Sequence, residues 1–191
     1  MLNISKKIIN QKAAIIVTLV AIIVIIAFIC INNYGKNSTV TTYKATNACD
    51  LLTLDEAKTL LGDDAILGEH YDPDSGNIVS VSQCSYTNGQ SDLSLLRVIH
   101  ITARSALSKD GQDSNTTAFE STNGSIPAAG DKAVKGYGDK AFWDTTVHEI
   151  SILKGDLWIR ISYGGADQTK NTLDDTKKVA KFVLKNASDL H

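Results

Sequence analysis

Residues Val147–Tyr163 read VHEISILKGDLWIRISY and carry the clearest strand pattern in the chain. Apolar and polar residues alternate on both sides of Lys154-Gly155, as they do in two half-buried strands joined by a tight turn. A two-residue loop at this point predicts a hairpin in which Ile150 lies opposite Ile159. An antiparallel β-sheet is therefore the expected centre of the fold.

The other face of this hairpin and a second hairpin extend the predicted sheet. The register above places Glu149 opposite Arg160 as a pair of unlike charges. Earlier in the chain, Ile78–Tyr86 and Leu93–Ala103 are rich in β-branched residues, and the Asn88-Gly89 turn signal lies between them. The sheet is thus predicted to consist of successive hairpins.

Two amphipathic helices are expected to pack on this sheet. Thr53 and Glu56 match the capping-box pattern, which predicts a helix of about two turns that ends at Gly62. Residues Gln168–Asn186 carry an apolar stripe with acids early and lysines late, as a helix dipole prefers. The polar stretch Arg104–Gly124 is expected to be loop with a short helix. The fold class is α+β, with an antiparallel sheet between a short N-terminal helix and a C-terminal helix.

A long apolar segment precedes this domain. Ala13–Ile31 is 19 residues without a charge, which is long enough to span a bilayer as a helix. Lysines in residues 1–12 predict a cytoplasmic leader, and hence a single-pass anchor in the cell membrane with the domain outside. The alternative is lipidation at Cys30, although Phe28 and Ile29 precede it where small residues are expected.

The segment 32–47 is rich in Asn and Thr and is predicted to be a linker, which leaves 48–191 as the extracytoplasmic domain. All 21 acidic residues but only 14 of the 19 basic ones follow Asn47, so this part of the chain has a net charge of −7. Such a domain repels phosphate backbones, and nucleic acid is excluded as an expected partner.

Two cysteines, Cys49 and Cys84, lie outside the predicted anchor. An even pair in an oxidising compartment predicts a disulfide, which would close a loop of about 36 residues and contribute roughly 3.8 kcal/mol to stability. Free thiols and a zinc site are the alternatives. A zinc site is disfavoured because His70 and His100 lack ligand spacing relative to the cysteines.

Two further motifs suggest ligands, but each departs from its pattern. Asp72, Asp74 and Gly76 hint at a calcium loop, yet the glycine and the terminal glutamate of an EF-hand are missing from the required positions. Gly136-x-Gly138 resembles part of a dinucleotide fingerprint, but an aromatic strand pattern follows it instead of a helix. No metal and no cofactor is predicted.

Several short motifs together resemble a known family. Cys49–Gly62, Cys84 within a strand, Gly138–Trp143 and the closing helix are similar to the DUF3558-type domain of actinobacterial envelope lipoproteins, an uncharacterised family. The resemblance implies a Cys49–Cys84 bond and a Mog1/PsbP-like fold, and it brings no activity. A lipobox is typical of that family, and the residues before Cys30 do not form one.

The expected function is a non-enzymatic, membrane-anchored binding or structural role, without catalytic residues. The bilayer is the expected partner of residues 13–31, and an envelope protein or a small ligand is the expected partner of the domain. Trp143, Trp158 and Tyr163 are candidates for a contact surface, because aromatic residues are enriched in such surfaces. The alternative is a sortase-like transpeptidase that uses Cys84, His100 and Arg160.

Overall fold

A computed structural model describes residues 42–74, 76–124, 131–167 and 170–190. The predicted anchor 13–31, the leader 1–12 and most of the predicted linker lie outside these residues. Among the described residues, no helix is both long and apolar enough to cross a membrane. The end of the linker segment packs on the domain, where Thr46 is buried and its backbone N–H donates to the Ser105 hydroxyl over 2.9 Å.

A seven-stranded antiparallel sheet forms the centre of the described domain, in agreement with the predicted α+β class. The strand order is β1-β2-β3-β7-β6-β5-β4, so consecutive hairpins build two halves that meet where β3 pairs with β7. The strands are β1 (Ile66–Tyr71), β2 (Val79–Thr87), β3 (Arg97–Ala106), β4 (Lys132–Ala133), β5 (Lys140–Asp144), β6 (Glu149–Lys154) and β7 (Leu157–Gly165).

The β6–β7 hairpin forms where the sequence predicts it, but its register differs from the prediction by two residues. The loop is Gly155-Asp156 rather than Lys154-Gly155, so Ile150 lies opposite Ile161 and not opposite Ile159. The reason is the turn itself, because Gly155 has φ +58° and a type II′ turn places glycine at its first central position. A shift of two residues leaves every side chain on its predicted face.

The predicted contact between Glu149 and Arg160 is present as a diagonal contact, and a second polar contact of this kind lies beside it. Glu149 lies opposite Ser162, yet its carboxylate accepts a hydrogen bond from Arg160 Nε over 2.5 Å. Similarly, Trp158 Nε1 donates to the Ser151 hydroxyl over 2.7 Å. Side chains two residues out of register are within reach of one another on a twisted sheet.

The main core lies on the face that carries the isoleucines of β3, β6 and β7. A 3₁₀ turn (Ala48–Asp50), helix α1 (Leu54–Leu61) and a long C-terminal helix (Leu173–Leu190) cover this face. The capping box at Thr53 is present as predicted. The C-terminal helix begins after Thr172, whose hydroxyl accepts from the Asp175 N–H, so the predicted start at Gln168 is too early; Gln168 itself is outside the described residues.

The apolar stripe of the C-terminal helix is buried as predicted. Its inward positions are fully enclosed, while the lysines between them face solvent. The buried side chains are Thr176, Val179, Ala180, Val183 and Ala187.

The opposite face of the sheet is partly covered by α2 (Lys109–Gly124), a helix of 16 residues. The sequence predicts only a loop with a short helix here, because Asn, Ser and Thr dominate the segment. Its attachment is polar: Asn115 is fully buried, and its amide donates to the carbonyls of Arg104 and Asp156. In chain order, the C-terminal helix (Leu173–Leu190) is α3.

Strand β1 was not predicted. Its side chains are mostly exposed, and its alternation is broken by a bulge between Leu67 and His70. The Ser85 hydroxyl donates to the Glu69 carbonyl over 2.7 Å and fixes this bulge. A strand without a buried face leaves no period-two signal in the sequence.

Candidate functional site

Cys49 and Cys84 are joined by a disulfide, as predicted, with 5.1 Å between their Cα atoms. The bond ties the 3₁₀ turn to the middle of β2, and Cys84 is fully buried. Hydrogen bonds support the same junction, since the Ala48 N–H donates to the Ser82 hydroxyl over 2.9 Å. The cysteines therefore hold the N-terminal turn against the sheet.

The three residues of the sortase-like alternative are not brought together. Cys84 points into the core and its sulfur is bonded to Cys49. His100 and Arg160 lie on the opposite face of the sheet, since each is one residue out of phase with the buried isoleucines of its strand. A thiol nucleophile needs a base within hydrogen-bond reach, and this arrangement provides neither a free thiol nor that contact.

His100, Glu149 and Arg160 instead form a polar group on the face that bears α2. Burial lowers the pKa of His100, and the nearby Arg160 guanidinium lowers it further. Burial raises the pKa of Glu149, although the hydrogen bond and charge of Arg160 oppose that shift. Both directions follow from desolvation of the charged form. The Arg160 guanidinium and the Glu149 carboxyl thus form a hydrogen-bonded pair, and the Arg160 charge also acts on His100.

The three aromatic residues proposed as a contact surface lie on two different faces. Trp143 and Tyr163 are buried in the main core, where the Tyr163 hydroxyl donates to the Leu60 carbonyl over 2.9 Å. Trp158 is half-buried on the other face, beneath the Arg104 guanidinium at 5.8 Å. A role for them in contacts with a partner stays a prediction, and the structure gives each of them a packing role.

A cavity of about 450 Å³ lies between the C-terminal half of α2 and the β4–β5 hairpin. Pockets that bind small ligands have volumes in this range and are mostly apolar. Phe119 from α2 is buried, and Phe142 from β5 also lines the cavity. The other apolar lining residues are Ala133, Val134, Tyr137 and Ala141, of which Val134 and Ala141 also belong to the main core.

Charged side chains lie at the rim of this cavity. Lys140 and Glu120 form an ion pair over 2.5 Å that links β5 to α2, and each side chain is about half exposed. The Asp139 carboxylate accepts from the Gly155 N–H over 2.7 Å and so ties the rim to the β6–β7 turn. The cavity therefore has an apolar interior and a charged mouth.

The Gly136-x-Gly138 motif belongs to this rim. Both glycines have positive φ, +82° and +61°. A methyl group on Gly138 would also lie 2.5 Å from the Leu153 carbonyl oxygen, a distance that backbone atoms do not tolerate. The glycines thus serve a turn packed against β6, which explains the motif without a dinucleotide.

The aspartates of the acidic loop that resembles a calcium site accept hydrogen bonds from neighbouring parts of the fold. The Asp74 carboxylate accepts from the Val81 N–H and the Asp72 carboxylate from the Asn47 amide, each over 2.9 Å. The described residues contain no cluster of three or more side chains that could ligate a metal.

Comparison with known proteins gives no match, whether against family models, curated proteins or solved structures. The resemblance to the DUF3558-type domain stays a prediction.

The cavity was not anticipated from the sequence. Phe119 stands alone in a polar stretch, and Phe142 lies far from it in the chain, in a predicted strand. The available signal was an isolated aromatic residue within a segment otherwise rich in Asn and Thr. Pairing it with Phe142 requires the position of α2, which polar contacts determine.

Proposed function

We propose that this protein is a single-pass membrane protein whose domain lies outside the cell and binds a small apolar ligand without catalysis. The apolar cavity between α2 and the β4–β5 hairpin carries the proposal, because its volume and lining match those of ligand pockets. The disulfide supports an oxidising compartment, as the apolar segment 13–31 does. The chain would then be an envelope domain similar to the DUF3558 type, with a Mog1/PsbP-like fold.

A binding experiment on the full chain in lipid nanodiscs tests the cavity. Ligand-observed NMR with a set of small neutral aromatic and aliphatic compounds should detect binding. In protein-observed spectra, the chemical-shift changes should centre on Phe119, Tyr137 and Phe142. Ala133→Phe fills the cavity from an exposed position and should reduce binding at least tenfold. Thr117→Phe places the same ring on the exposed side of α2, outside the lining, and should bind like the wild type.

The location is tested separately in cells that express the full chain. An amine reagent that cannot cross the membrane should label lysines of the domain in intact cells. Label that appears only after the cells are broken would contradict the proposed orientation.

A further inference from the structure

The sheet has two edges that differ in their protection. Edge strands present unpaired N–H and C=O groups, and proteins usually shorten such strands or place lysine on them. β4 follows that rule, since it has two residues and one of them is Lys132. β1 has six residues and carries neither lysine nor proline; Glu69 and the bulge between Leu67 and His70 are its protective features. Within the described chain, no strand pairs with its outer edge.

Exposed apolar side chains lie at the start of β1, where Ile66 and Leu67 point to opposite faces of the sheet, and in the neighbouring β2–β3 loop. Ile66 and Leu67 are 54% and 44% exposed, and Leu93 and Leu95 in the β2–β3 loop are 68% and 58% exposed. The loop and the strand lie side by side, because the Asn88 amide donates to the Leu95 carbonyl and a methyl on Gly89 would lie 3.0 Å from the Asp64 carbonyl oxygen. We call these four side chains the apolar corner. Exposed apolar groups of this kind mark interaction sites.

The segment 63–74, which contains β1, carries acidic residues and His70 but no other titratable cation. Five acidic residues and no lysine or arginine lie between positions 63 and 74. They are Asp63, Asp64, Glu69, Asp72 and Asp74. A second copy of this chain paired edge to edge would bring these acids against themselves, and like charges at short range oppose such a contact. The charge pattern fits a partner with basic residues.

The corner is also remote from the point where the chain enters the domain. Thr46 is bonded to Ser105 at one end of β3, whereas the corner lies beyond Arg97 at the other end. Eight residues of strand separate these points, which is roughly 26 Å at 3.3 Å per residue. The apolar corner and the entry point of the chain therefore lie toward opposite ends of β3.

We propose that β1 and the apolar corner bind an extended segment of another protein, which adds to the sheet as an eighth strand. Backbone hydrogen bonds to β1 would give affinity, and side chains on both faces of the added strand would contact the exposed apolar residues of the corner. Lysine or arginine at the ends of the segment would face the acids that flank β1. This surface is separate from the cavity and does not depend on the ligand proposed for it.

The test uses the full chain in nanodiscs of zwitterionic lipid, so that basic peptides are not drawn to the bilayer. The probe is a synthetic peptide of alternating valine and threonine with two lysines at each end. It should bind, and the amides of Ile66–Tyr71 should become protected from hydrogen exchange. A peptide with glutamates in place of the lysines should bind at least tenfold more weakly, as should one with proline at alternate positions.

Matched variants assign the surface. The double variant Leu93→Ser, Leu95→Ser should bind the lysine peptide at least tenfold more weakly than the wild type. Val147→Ser, at an exposed position outside the corner and β1, should leave the affinity for this peptide unchanged. Glu69→Lys keeps the strand and should shift the binding preference toward the glutamate peptide. A misfolded variant would lose affinity for both peptides, so a change of preference shows that the variant is folded. Equal binding of all peptides, no binding, protection at another strand, or a dimer joined through β1 would each overturn the proposal.

Discussion

The hydroxyl of Tyr86 donates a hydrogen bond to the carbonyl oxygen of Leu52, which lies 34 residues earlier. Two positions before Tyr86 on the same face of β2, Cys84 is bonded to Cys49 in the 3₁₀ turn that precedes Leu52. One strand therefore holds this N-terminal segment by a covalent bond and by a buried hydrogen bond. The carbonyl of Leu52 belongs to a fully buried residue, so the loss of its donor is costly.

Tyr86→Phe should lower the free energy of unfolding by about 1–3 kcal/mol, because it leaves a buried carbonyl without a donor while the ring still fills its site. Urea denaturation followed by circular dichroism measures the change. Tyr71→Phe is the matched control, since Tyr71 is 61% exposed and should cost less than about 0.5 kcal/mol. Equal midpoints for the two variants would show that the hydrogen bond contributes nothing.

The same residue predicts an alkaline transition. Burial raises the pKa of Tyr86 from 10.0 to about 12, with smaller contributions from Glu56 and Asp50. The folded protein holds this proton more tightly than the unfolded chain does, so the stabilisation is complete below pH 10 and is lost as the pH rises toward 12. Denaturation midpoints between pH 9 and 12 should fall more steeply for wild type than for Tyr86→Phe. Parallel curves would contradict the assignment.

Reduction of the Cys49–Cys84 bond should destabilise the domain. In the chain-entropy model a loop of this length contributes roughly 3.8 kcal/mol, and measured values are often smaller. Thiol labelling of denatured protein should count two more cysteines after reduction than before it. The double variant Cys49→Ser, Cys84→Ser should unfold at lower urea, and reductant should shift the midpoint of the wild type but not that of the variant.

Sequence patterns predicted the elements whose side chains alternate or repeat with a buried face. The β6–β7 hairpin and the stripe of α3 were found because Ile150, Ile152, Val179 and Val183 are fully enclosed. The predicted register differs from the observed one by two residues. The alternation of apolar and polar residues is the same whether the loop is Lys154-Gly155 or Gly155-Asp156, so it does not distinguish the two. The glycine's positive φ decides between them.

The elements that the sequence patterns do not predict are those held in place by polar contacts or composed mainly of exposed residues. β1 has almost no buried face, and α2 is held by an asparagine rather than by a stripe of leucines. The cavity depends on where α2 lies, so it could not be predicted from the sequence either. Capping, in contrast, is local chemistry, and the Thr53–Glu56 box was predicted from four residues.

Glu149 predicts a pH dependence in the acid range. Its folded pKa lies above the ordinary 4.5 because the carboxyl is buried, with Arg160 opposing the shift. Its contribution to stability is therefore full below the unfolded pKa and declines as the pH rises through the folded value. The free energy of unfolding of wild type relative to Glu149→Gln should fall as the pH rises above 4.5. A difference that is constant or grows with pH would contradict this direction.

Asn115 should be the most sensitive position on α2. It is fully buried, accepts from the Arg104 guanidinium, and donates to two carbonyls over 3.0 and 2.8 Å. Asn115→Ala removes these three hydrogen bonds of a buried side chain and should cost about 2–4 kcal/mol, whereas Thr117→Ala on the exposed side should cost less than about 0.5 kcal/mol.

The position of α2 also sets the wall of the cavity, through Phe119 one turn further along the helix. Amides of α2 should therefore exchange faster in Asn115→Ala while those of α3 stay protected, and affinity for apolar compounds should fall in the same variant. Exchange that accelerates equally in α2 and α3 would indicate global unfolding and would remove α2 as a separately anchored element. Unchanged affinity in a variant whose α2 is loosened would show that Phe119 does not form the binding wall.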